Sequence, residues 1–164
     1  MVRKRDLTNA MVDSLRQCPL LVAELSPPAP ESIIGYIDST PDRNSVTTAI
    51  YQMRAGTIMV VYRNTMIVAP GDIEAFAHYV DIVVKAQRGK SSMDLADDIA
   101  EAAIPDPNCP DCTNRWRDCP VLPQLLPPTL MEIARETDEE MVDYFVIHTE
   151  TKETGDFYGN SSTT

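Results

Sequence analysis

No stretch of this chain approaches the roughly 18 consecutive apolar residues of a spanning helix, so a membrane-spanning segment is not expected. Basic residues are scarce. Only 14 Lys and Arg stand against 25 Asp and Glu, for a formal net charge of -11. Because nucleic-acid binding is driven by Lys and Arg displacing counterions, DNA is not expected as a ligand. Acidity for solubility alone is the ordinary reading, and an acidic wall from which a passing duplex is repelled is the other. Export is not expected either: Val2-Arg3-Lys4-Arg5 has the charge of a signal-peptide n-region, but the residues from Asp6 to Asp13 are amphipathic rather than continuously apolar.

Catalytic signatures are equally sparse. There is no Gly-x-Ser-x-Gly elbow. The 2 histidines, His78 and His148, each fall inside an alternating strand pattern rather than beside a nucleophile. Gly89-Lys90-Ser91 invites comparison with a phosphate-binding loop, yet Val84 stands where the first glycine is required. A solvated connector with a serine cap is the expectation there. Asp94, Asp97 and Asp98 gather near a helix start, where carboxylates interact well with the helix dipole. They read as terminus charges rather than as acid-base groups, and no enzyme is expected.

The 4 cysteines include Cys109-Pro110-Asp111-Cys112, followed by Cys119. Two thiolates separated by two residues can hold one zinc, and a third can close toward a tetrahedron. The fourth ligand is missing locally; only the fold could bring Cys18, His78 or His148 there. Reduced thiols without metal or cofactor are the expectation, and a small zinc-binding cytoplasmic adaptor module is the alternative.

What the chain does contain suits one domain, since 164 residues bury roughly 70% of the surface of the unfolded chain. Leu7, Met11, Leu15 and Cys18 recur at helical spacing within a segment from Asp6 to Leu25, and Pro19 should stop that helix near Gln17 or kink it there before a Leu20 to Leu25 turn. Ile33 to Ile37 reads as a short strand, Val46 to Met53 as a helix ended by Gly56, and Thr57 to Arg63 as a central strand. Met66 to Ala69 and Ile73 to Lys85 read as separate strands divided by Pro70-Gly71-Asp72. Phe76, His78, Val80, Ile82 and Val84 then share one face, with Ala77, Tyr79, Asp81, Val83 and Lys85 on the other. A helix over Ser92 to Ala103, with a stripe of Leu95 or Ala96, Ile99 and Ala103, precedes a terminal hairpin of Leu130 to Glu136 and Met141 to Thr151.

The 13 prolines are many for this length and recur through residues 105–128, where neither helix nor central strand persists. That stretch reads as an arm. Trp116, between Arg115 and Arg117, and Leu125 and Leu126, between prolines, are its candidate partner contacts. The predicted class is α+β: a mixed or antiparallel sheet covered by short helices, with a long Pro/Cys-rich arm.

Several of these pieces carry a family resemblance. They are the early helix with its Leu15-Arg16 core, Ile34-Gly35-Tyr36-Ile37-Asp38 leading into Pro41-Asp42-Arg43, and a helix ending Ala49-Ile50-Tyr51-Gln52-Met53. A buried strand follows, and a closing run from Asp143 ends on Thr154-Gly155-Asp156. From Leu7 to Asp156 the chain resembles the neck and tail-terminator (head-tail joining) proteins of tailed bacteriophages. The resemblance implies a single tail-terminator-like domain over residues 1–158, and the small polar residues of 159–164 read as a disordered tail. It also implies a virion protein that assembles in the bacterial host cytoplasm. Its subunits would form a ring, commonly a hexamer, that terminates the tail tube and meets tail tube, stopper and head-connector proteins.

Overall fold

The structure, a computed structural model, describes residues 3–16, 32–36, 43–68, 75–103 and 129–153. Helix α1 spans Lys4–Arg16. Leu7, Met11, Val12 and Leu15 form its buried stripe, and the stop or kink expected near Gln17 lies outside the described residues. Cys18 lies outside the described residues. Strand β1, Ile33–Tyr36, is followed by helix α2, Arg43–Tyr51, and by strand β2, Thr57–Val68. β1 and β2 pair in parallel, as a strand–helix–strand crossover allows.

β3, Ala75–Lys85, pairs antiparallel with β2. Helix α3, Ser92–Ala103, then precedes the hairpin of β4, Thr129–Thr137, and β5, Asp143–Glu153. The five strands run in the order β1-β2-β3-β5-β4, so the class is α+β with a mixed sheet. β5 is inserted beside β3, which leaves β4 at the edge.

Both faces of the sheet are covered. On one, Leu7, Met11 and Leu15 of α1 and Leu95, Ala96 and Ile99 of α3 close over Ile58, Val60, Val80, Ile82, Val84 and Ile147. On the other, Val46 and Ile50 of α2 meet Met59, Val61, Val83, Tyr144 and Val146. Strand alternation produces this split directly, sending neighbouring residues to opposite faces. Each fully buried aliphatic side chain contributes about 2 kcal/mol of transfer free energy. α1 also lies very close to β1: a Cβ on Gly35 would meet Thr8 Cγ2 at 3.1 Å and Val12 Cγ2 at 3.4 Å, so the missing side chain is what permits the approach. Arg16 Nη2 donates to the Ile33 carbonyl at 2.8 Å and ties the helix end to the strand.

Three expectations are corrected. β2 is continuous through Met66, because a bulge between Tyr62 and Asn64 absorbs the polar Arg63-Asn64-Thr65 step without a turn. Gly56 does not end α2, which stops at Tyr51; at φ 80° it forms the turn into β2, its N–H donating to the Lys85 carbonyl at 2.8 Å. Met141 is not in β5 but in the hairpin turn, at φ 61°. The α3 boundaries and its Leu95, Ala96 and Ile99 stripe match the reading from sequence.

Candidate functional site

Three polar constellations interrupt the apolar sheet. The first surrounds His78, which is fully buried on the face under α1 and α3. Its Nε2 lies 3.0 Å from Glu153 Oε2. Its Nδ1 lies 3.1 Å from the Tyr62 hydroxyl and 3.0 Å from Thr65 Oγ1, and those two hydroxyls hydrogen-bond each other. The bulge in β2 sets this arrangement, since it returns Thr65 to the face that Tyr62 already occupies. Hydroxyl, imidazole and carboxylate follow the order of an activated nucleophile. However, the side chains of His78 and Glu153 are both 0% exposed, and none of the four lines the cleft described below. The cluster is a buried polar brace across β2, β3 and β5. Burial, with the Glu153 charge adding to it, holds the Tyr62 phenol above its usual pKa.

A second row crosses the opposite face. Asp81, buried on β3, accepts from Arg63 Nε at 2.6 Å and lies 2.7 Å from His148 Nδ1. Arg63 and His148 keep 34% and 35% of their side chains exposed. A carboxylate-oriented imidazole is the usual form of a general base, but Arg63, Asp81 and His148 do not line the cleft described below. The row satisfies a buried carboxylate at the margin of the α2 cluster.

The third constellation is a cleft of about 760 Å³ at the end of the sheet where β3 leaves and β2 begins. Its floor is Lys85, whose Nζ donates to the Met53 carbonyl at 3.4 Å and to Asp138 Oδ2 at 3.5 Å and sits 5.6 Å from the centroid of the Tyr144 ring. One wall is the loop 86–91 leading into α3. Ser91 Oγ accepts from the Asp94 N–H at 3.2 Å there, the serine cap expected from sequence, and Asp94, Asp97 and Asp98 are exposed along the helix. The other wall is the β4–β5 turn. Asp138 Oδ1 accepts from the N–H groups of Glu140 at 2.9 Å and Val142 at 3.0 Å. Those bonds, led by the one from Val142 and joined by the nearby Lys85 charge, hold the Asp138 carboxyl below its usual value of 3.8.

The partner contacts anticipated at Trp116, Leu125 and Leu126 and the metal candidates Cys109, Cys112 and Cys119 lie outside the described residues. Among the described residues no group of three His, Cys, Asp or Glu side chains is placed to hold a metal. No helix among them is long and apolar enough to cross a membrane. What sequence reading missed is the partnering of His78 with Glu153, 75 residues apart in the chain, and the cleft itself. The nearest signal was the placement of an imidazole in an otherwise apolar stripe of β3. No family model matches the chain, and no curated protein matches it.

Proposed function

We propose that this protein is a structural subunit of a tailed-phage neck, assembling into a ring that ends the tail tube and joins the tail to the head connector. The observation that carries the assembly reading is the terminal hairpin. β4 is an edge strand exposed along most of its length. Leu130 at 46%, Met131 at 56%, Met141 at 81% and Val142 at 51% exposure concentrate large apolar side chains on that one element. Such concentration marks interaction surfaces, and an open strand edge is a template for further pairing. The likeness of residues 33–63 and 143–156 to neck and tail-terminator proteins supplies the place of assembly. The -11 charge suits a ring through which a duplex passes without adhering.

Imaging intact particles tests this reading: density for this chain as a ring at the tail-to-head junction is the expected result. A chain that stays monomeric even with tail tubes present counts against it. Monomeric behaviour alone does not, because contacts repeated around a ring add avidity only once a template is present. Deleting residues 110–123 should leave a folded domain that no longer supports particle joining. Stoichiometric zinc, lost on Cys112→Ser, would favour a zinc-binding adaptor instead.

A further inference from the structure

We propose that the cleft at the end of the sheet is the self-association surface, with the acidic hairpin tip of one copy, Glu139 and Glu140, seated against the basic loop of another, Arg88 and Lys90. This inference rests on the assembly reading above and gives it an address. The cleft is lined by charges of both signs. Lys85 pairs with Asp138 and Arg135 with Asp143. The charges left over are Arg88 and Lys90 on one lip and Glu139 and Glu140 on the other. All are exposed, and none has an opposite charge within 4.0 Å among the described residues.

Opposite charges therefore border a common cleft without neutralising each other across it. A partner that fits both lips must itself carry an acidic and a basic element, and a second copy of this chain does. One copy filling both lips of another makes a reciprocal two-fold contact, whereas a ring uses the same tip-to-loop match head-to-tail, with a different neighbour on each lip. Exposed Met93, Met141 and Val142 beside the lips add apolar area of the kind that interaction surfaces carry. The tip is also held in shape before contact: Asp138 bonds to Glu140 and Val142 fix the turn, and the Met141 N–H donates to the Asp138 carbonyl at 3.0 Å. Little ordering cost then falls on association.

Two charge-reversed forms of the full chain test the idea, Arg88→Glu/Lys90→Glu and Glu139→Lys/Glu140→Lys, with sedimentation velocity as the readout. Each form alone should associate at least about tenfold more weakly than the wild type, because like charges then face each other. An equimolar mixture should recover association, since every lip again meets its opposite. Raising salt from about 50 mM to about 500 mM should weaken the wild type and the mixture alike. The single changes Lys90→Glu and Glu140→Lys, mixed in the same way, repeat the test with a smaller disturbance. Variants that associate as well as wild type, or a mixture that fails to recover, overturn the inference while the ring reading stands. A wild type that stays monomeric at every concentration and salt overturns the inference as well. The ring reading itself is decided separately, by density at the neck of intact particles.

Discussion

His78 and His148 share a chemistry and differ in the sheet face that each takes. His78 points under α1 and α3, where Tyr62, Thr65 and Glu153 are its partners among the described residues; His148 points to the opposite face and shares Asp81 with Arg63. Removing one member of a fully buried pair leaves the other uncompensated, so Glu153→Ala should lower stability by about 3 kcal/mol in urea unfolding. A His78→Leu/Glu153→Leu double variant should lose less than the sum of the two single changes, because neither side chain is then left buried without the other. Additive losses would show that the two side chains do not act as a pair.

The short elements depend on single backbone features. α1 sits on β1 only because Gly35 lacks a side chain, with Thr8 Cγ2 3.1 Å from where a Cβ would be. Gly35→Val should therefore displace the helix and cost about 2 kcal/mol, read as a lowered Tm. The β4–β5 turn depends on Asp138. A carboxyl held below its usual value in the fold contributes stability that is complete above the unfolded value of 3.8. That stability is lost as pH falls through the lower, folded value. Asp138→Ala should thus lower Tm at neutral pH, and the gap to wild type should close as the solution is acidified below that range. Asp138→Asn, which keeps an oxygen acceptor for the turn, should retain more of the stability at neutral pH.

At the level of the whole molecule, the assembly predictions concern surfaces that no single element owns. The cleft needs the end of β3, the start of α3 and the hairpin turn together, and its unpaired lips come from loops about 50 residues apart in sequence. Much of the architecture was nonetheless legible beforehand. The alternation of β3 and β5 and the stripes of α1 and α3 are local patterns, with periods that can be counted. The join of β2 through Arg63-Asn64-Thr65 was not legible, because a bulge and a turn draw on the same polar residues and only the partner strand distinguishes them. The turn position of Met141 was hidden likewise, since a methionine at positive φ is held there by Asp138 and not by its own preference.

Local periodicity and charge were enough to establish an acidic α+β chain with short helices, both β3 faces correctly divided, and no recognisable catalytic motif. Those properties depend on neighbours within a few residues and survive any arrangement of the rest. The insertion of β5 beside β3, the exposure of β4 as an edge, the burial of His78 against Glu153 and the gathering of opposite charges around one cleft depend on strand order. Strand order is a property of long-range pairing, in which residues far apart in the chain become neighbours, and it was decided by the tertiary structure alone.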